Sequence, residues 1–176
     1  MAKNIAFISG SGDIKRAEFK LFVDVSEAGD GSSPEWEIIG KKIEDMSLEM
    51  NPNVETMTDV TGNVETTLDK YEKQTSVSPY YARRESKMAA WLYNVVREER
   101  TLSDVERTFL CVNIFAGADA KFDAWTQRAI VAVQSYGGNT KGLQIPYNIH
   151  WVGEKKFGTV AISDGAPTFT PAGVGG

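Results

Sequence analysis

From Lys42 to Val96 the chain passes through three units that together restrict it to a β-rich fold with one helix. In Lys42 to Met50, Met46, Leu48 and Met50 alternate with Asp45, Ser47 and Glu49, which predicts an amphipathic strand with one buried face. A Thr-rich acidic hairpin follows from Asn53 to Leu68. Val54, Thr56, Thr58 and Val60 share one face of its first arm, and Val64, Thr66 and Leu68 share a face of the second. Thr61-Gly62 or Gly62-Asn63 supplies the turn, because glycine and asparagine tolerate the positive φ of tight hairpins. This ribbon has little bulk to bury, and an isolated two-stranded ribbon is marginal in water, so it is expected to lie on a neighbour or on its own sheet. After Ser78-Pro79, Met88, Trp91, Leu92, Val95 and Val96 recur at three- and four-residue spacing. That stripe predicts a helix over about residues 80–99 that packs on a sheet.

Alternation continues on both sides of this region. Phe19 to Val25 and Glu35 to Ile39 read as strands, separated by the turn-rich loop from Glu27 to Pro34. Thr108 to Phe115 is apolar on both faces, as a central strand would be. Ala124 to Tyr136 alternates and ends at a turn, Gly137-Gly138-Asn139. Leu143, Ile145, Tyr147, Ile149 and Trp151 alternate with polar neighbours and with Pro146. Pro146 cannot donate to a ladder, so it should face solvent, a bulge or a subunit seam. Lys156 to Ile162 is the expected last strand.

The fold class is therefore mostly β: a sandwich or barrel of about eight strands with one flanking helix. The expected organisation is an N-terminal arm (1–16), a single β domain (17–163) that includes the hairpin arm 51–67, and a flexible tail (164–176). Neither arm has the apolar content to offset the entropy of ordering before assembly.

At 176 residues and 41% hydrophobic content, the chain supports one sizeable core. No apolar run is long enough to insert in a membrane, and the apolar patch near Met1 is too short for a signal peptide, so synthesis in a cytoplasm is expected. A catalytic set is not found. His150 lies on the polar side of its strand with no acid placed to orient it, and Cys111 sits inside an apolar strand. Asp104, Asp119 and Asp123 match no calcium loop, and the Gly-x-Gly of Ser9 to Asp13 lacks a βαβ context. Neither an enzyme nor a cofactor is predicted. Trp36, Trp91, Trp125 and Trp151 fall on apolar faces, which disfavours a carbohydrate platform.

The net charge of −5 argues against a protein that grips nucleic acid by neutralising phosphates. The charge is uneven. Residues 24–72 hold 13 acidic and 3 basic side chains, whereas residues 73–128 hold 9 basic and 7 acidic.

Four stretches, Ile43-Glu-Asp-Met-Ser-Leu-Glu-Met-Asn-Pro52, Thr61-Gly-Asn63, Leu68-Asp-Lys-Tyr71 and Val77-Ser-Pro-Tyr-Tyr81, are similar to the major tail tube proteins of long-tailed bacteriophages. The resemblance implies a structural virion protein of the tail, assembled in the host cytoplasm. Six copies would form a ring, and rings would stack into a hollow tube through which DNA passes without specific binding. The alternative is a tube or tube-terminator subunit of a contractile phage-like particle or bacteriocin. Implied partners are the protein itself, with tape-measure, tail-terminator and baseplate proteins. Open sheet edges would become joints between subunits. Subunit-contact candidates are Val54, Thr56, Met57, Thr58, Val60, Val64 and Pro146. Candidates for negative charge in the lumen, where it would repel phosphate, are Glu55, Asp59, Glu65 and Asp69.

Overall fold

Alternating side chains build most of this protein, and the structure, a computed structural model, describes residues 8–173. Among these residues thirteen strands and one α-helix are formed. In chain order they are β1 (Phe19–Asp24), β2 (Trp36–Ile39), β3 (Leu48–Glu49), β4 (Pro52–Thr58), β5 (Val64–Tyr71), β6 (Gln74–Val77), α1 (Lys87–Glu98), β7 (Glu106–Ala118), β8 (Lys121–Val133), β9 (Gly137–Asn139), β10 (Gly142–Gln144), β11 (Tyr147–Trp151), β12 (Lys156–Ser163) and β13 (Ala166–Pro171).

Nine strands form one antiparallel sheet, ordered β2-β1-β7-β8-β11-β6-β3, with β12 and β13 branching from β8. The branch arises because β8 is long. Phe122 to Thr126 pair with β12, and Ala129 to Val133 pair with β11. The sheet curls into a half-barrel. A register shift between Asn113 and Gly117 adds to the bend, as bulges do. Gly117 has φ +128, and a Cβ there would lie 2.1 Å from the Lys121 carbonyl oxygen, so only glycine fits.

Period-two alternation divides the apolar residues between the sheet's two faces. Leu21, Val23, Phe109, Cys111, Val131, Tyr147 and Ile149 point to the face covered by α1, where Met88, Trp91, Leu92 and Val95 meet them. Phe22, Leu110, Val112, Ala124 and Val160 point to the other face, rimmed by half-buried Trp36, Ile38 and Phe169. A mostly β fold with one flanking helix is thus what the chain adopts.

The helix is shorter than the predicted 80–99. Residues 80–82 are extended instead: Tyr80 accepts from the Ile145 N–H at 3.0 Å and Ala82 donates to Leu143 at 2.9 Å. The helix starts where capping becomes available. The Ser86 hydroxyl accepts from the Ala89 N–H at 3.1 Å, and the Glu37 carboxylate of β2 accepts from Lys87 at 3.0 Å and Met88 at 3.3 Å. Glu37 also accepts from the Ser86 hydroxyl, which ties β2 to the helix N-terminus.

Four other expectations are corrected. Lys42 to Met50 is not a strand apart from Leu48–Glu49. Lys42 has φ 63 and the Ile43 N–H turns back to the Gly40 carbonyl, so the segment breaks away before it can pair. Met46 is buried and Leu48 half-buried, but Met50 is exposed, so the alternation never becomes one inward face. Residues 143–151 are divided between β10 and β11, because Pro146 interrupts the ladder. Gly137-Gly138-Asn139, expected as a turn, pairs with β10 as β9.

The expected tail is the fourth case. It contains β13, paired with β12 along Ala166 to Pro171. Asp164 and Gly165 have φ 50 and 79, the positive values of a tight hairpin turn, so the Asp-Gly pair marked a turn between two strands. Residues 1–7 of the expected N-terminal arm lie outside the described residues. Ile8 and Ser9 join the far end of β7 through the Ser9 N–H and the Phe115 carbonyl, 2.9 Å apart.

The loop between β1 and β2 is organised by a charge that the sequence reading passed over. Asp24 is fully buried, and its carboxylate accepts from the N–H groups of Ser26 (3.0 Å), Gly31 (2.9 Å) and Glu35 (3.0 Å). Beside it the Arg107 guanidinium donates to the Ser26 carbonyl at 2.6 Å and stacks over Trp91, 4.7 Å from the ring centroid. Gly29 passes so close that a Cβ would lie 2.1 Å from an Arg107 nitrogen. This loop fixes the point at which β2 enters the sheet.

Candidate assembly surface

Strands β4 and β5 pair only with each other, as a separate two-stranded sheet. Every residue of the ribbon except Asn53 is exposed. It is rooted beside β3 and β6, where Asn51 and Glu72 join backbone to backbone at 3.1 Å. Of the two placements expected from its sequence, packing on its own sheet is not what the chain does.

Register sorts the ribbon's side chains. Val54, Thr56 and Thr58 stand opposite Leu68, Thr66 and Val64, and the Thr56 and Thr66 hydroxyls are hydrogen-bonded at 3.2 Å. Glu55 and Met57 stand opposite Thr67 and Glu65 on the other face. One face is therefore aliphatic and threonine-rich, and the other acidic. Val54, Met57, Val64 and Leu68 are all largely exposed. Met57, grouped in sequence with the contact residues, lies among the carboxylates. Asp69 sits at the register shift near the ribbon's base.

Two candidates belong to the turn instead. Val60 is not on β4 and is wholly exposed at the tip. Asp59 accepts from the Thr61 N–H (2.8 Å), the Thr61 hydroxyl (2.6 Å) and the Asn63 N–H (3.0 Å), an Asx-type loop closed by Gly62 at φ +86. These bonds, the Thr61 hydroxyl foremost, lower the Asp59 carboxyl to about 2. Asp59 thus holds the ribbon's tip. Asp59→Ala is expected to speed amide exchange at Thr61 and Asn63 about tenfold or more while leaving α1 unaffected. Hydrogen exchange read by NMR checks this, and unchanged exchange at both amides would remove Asp59 from that role.

The sheet has unequal edges. On β13, the Ala172 N–H bonds the Phe157 carbonyl, so alternation turns Pro167, Phe169 and Pro171 outward. Two of those three have no N–H, which blunts the edge against strand addition. On β2, the Val25 N–H bonds the Glu35 carbonyl at 2.8 Å, so Glu37 and Ile39 face β1. Trp36 and Ile38 then turn their N–H and C=O groups outward. That edge is open.

Charged groups of both signs gather beside the open edge. Ile38, Gly40, Lys41, Tyr81 and Arg83 line one concavity there, together with Glu37 and Glu85. Arg83 pairs with Glu85 at 2.6 Å, whereas Lys41, Lys42 and Arg84 have no ion-pair partner among the described residues. The sequence reading missed this site. The pairs Lys41-Lys42 and Arg83-Arg84 were its visible signal, the first of them set in an otherwise acidic stretch.

The remaining candidates are placed as follows. Pro146 is half-buried between β10 and β11, and its carbonyl accepts from the Gln134 N–H at 2.9 Å. His150 is half-buried on β11, opposite Ile130 and Gln74. Cys111 is fully buried, and burial pushes its thiol up to about 12, which suppresses nucleophilic chemistry. Trp91 and Trp151 are core residues, while Trp36 is half-buried and half-buried Trp125 lies under the Lys155 ammonium at 4.1 Å.

No family model matches the sequence, and no curated protein matches it. Among solved structures, the anti-feeding prophage cap, a tube-terminating cap, matches with a TM-score of 0.50 and 11% sequence identity. The match covers 90% of this chain and 99% of the cap. At that identity the likeness concerns the fold alone: this chain shares its fold with that cap.

Proposed function

We propose that this protein is a non-enzymatic structural component of a phage-like tail, and that it works as a ring-forming subunit at the end of a tube. The observation that carries this is the fold match, which spans nearly the whole of both chains and involves a tube-terminating cap. That neighbour favours a terminator subunit of a phage-like particle over the major tube subunit suggested by the sequence resemblance. The protruding ribbon and the unpaired outer edge of β2 support self-association, since free strand edges are ready sites for pairing with another copy. A head-to-tail contact between them closes into a ring when its rotation divides a full turn. Tube proteins of the same particle are the remaining partners of this reading.

Electron microscopy and sedimentation velocity across a concentration series test the proposal. Closed rings of fixed size that do not lengthen are expected. Tubes that grow with concentration would favour the major tube subunit instead. A protein that stays monomeric at every concentration would overturn both.

A further inference from the structure

We infer that Lys73 is a modification site, where carbon dioxide adds to the side-chain amine and the resulting carbamate is held by Lys155. The inference is independent of the ring reading. It rests on a cluster of side chains around the residue that immediately precedes β6. The Lys73 backbone is anchored there, since its carbonyl accepts from the Trp151 N–H at 3.1 Å. Its side-chain nitrogen donates to Gln127 Oε1 at 2.9 Å, and Gln127 is only 3% exposed. The Gln127 amide donates in turn to the Gly153 carbonyl at 2.9 Å, so the acceptor is itself held in place. Trp125 lies two positions along β8, about 6.6 Å away on the same strand face. Lys155, in the turn that leads into β12, stands over that indole with its nitrogen 4.1 Å from the ring centroid.

This cluster gathers cations and donors but no anion. Neither Lys73 nor Lys155 has a carboxylate at ion-pair distance among the described residues. Trp125 Nε1 is buried and finds no acceptor among them. A buried donor left in that state costs stability. The titratable groups that act on Lys73 are Lys155 and Cys111. Burial first, and then the Lys155 charge, lower the Lys73 amine below the usual lysine range, and the smaller effect of Cys111 is opposite. Desolvation and a neighbouring cation are the means by which a lysine becomes a nucleophile near neutral pH.

The step balances. The nitrogen lone pair of the neutral amine attacks the carbon of carbon dioxide. A C–N bond forms, one C–O π bond opens onto oxygen, and an amine proton passes to water. The product carries a carboxylate where the ammonium stood and keeps one N–H to donate to Gln127. Its oxygens meet the Lys155 ammonium and supply the acceptor that Trp125 Nε1–H lacks. A repulsive pair of cations thus becomes an ion pair that ties the start of β6 to the turn before β12.

Carbon NMR of the full chain, equilibrated with isotope-labelled bicarbonate at mildly alkaline pH, tests the inference. The wild type should show a carbamate signal that is lost in Lys73→Arg, whose guanidinium stays charged and cannot add carbon dioxide. Lys155→Gln removes both the repulsion that lowers the amine and the partner of the product, so it should reduce occupancy about tenfold or more. At fixed dissolved carbon dioxide the signal should weaken as pH falls, because only the neutral amine reacts. Circular dichroism verifies that both variants fold.

A folded wild type without the signal would overturn the inference. A signal unchanged in Lys73→Arg would overturn it as well, by assigning the adduct to other amines. So would a signal unchanged in Lys155→Gln, which would remove Lys155 as the partner. None of these outcomes bears on ring formation.

Discussion

Asp24→Ala is expected to cost about 3–5 kcal/mol of stability, because it leaves three backbone donors that converge on one buried carboxylate without their acceptor. In the native loop the Asp24 carboxylate accepts from Ser26, Gly31 and Glu35 and stands beside the Arg107 guanidinium. Alanine removes every one of those acceptors. Arg107 is only 8% exposed and would keep its backbone bond to Ser26, but without a neighbouring negative charge. For a chain of this size such a loss lowers the melting temperature by about 10 °C. Urea titration and calorimetry check it, and a loss below about 1 kcal/mol would mean that the loop does not depend on this carboxylate. Because the loop delivers Trp36 to the start of β2, the variant should also assemble less well than its residual folded fraction accounts for.

Phe109→Ala should be about as severe, with a loss of about 3–5 kcal/mol from transfer and cavity terms together. Phe109 is wholly buried on β7, paired with Val23 on one side and Gln127 on the other. Its ring meets Trp151 edge-on, with centroids 5.4 Å apart. That aromatic contact adds about 0.5–1.5 kcal/mol to the area term. The site cannot collapse easily, since its neighbours lie on paired central strands. A melting temperature within about 2 °C of the wild type would show that the core repacks around the gap. Val60→Ala is the matched control. Its side chain is fully exposed at the ribbon tip, and it should shift stability by no more than about 0.5 kcal/mol.

How much of this was legible depended on whether a residue's role is set by its near neighbours. The alternation of Phe19 to Val25 and the three- and four-residue spacing of Met88 to Val95 placed β1 and α1, because burial of one face is a local pattern. The same rule misread Lys42 to Met50, where the pattern is present but no partner strand lies alongside. It also missed β13, whose prolines and glycines resemble a mobile end. Pro167 and Pro171 are tolerated there because their missing N–H groups point to an outer edge. The ribbon was read correctly as a hairpin but not as an unsupported one. Val60 was placed on its strand because the turn is closed by the Asp59 side chain and is longer than a two-residue loop.

The sequence by itself determined the β-rich class, the helix and the acidic ribbon, since each follows from residue types a few positions apart. Only the tertiary structure decided that the outer edge of β2 is unpaired, that Glu37 of β2 caps the helix, and that Lys41 and Arg83 line one concavity beside that edge. These facts join residues more than forty positions apart. Pairing order and sheet curvature bring them together, and no local pattern in the chain encodes either.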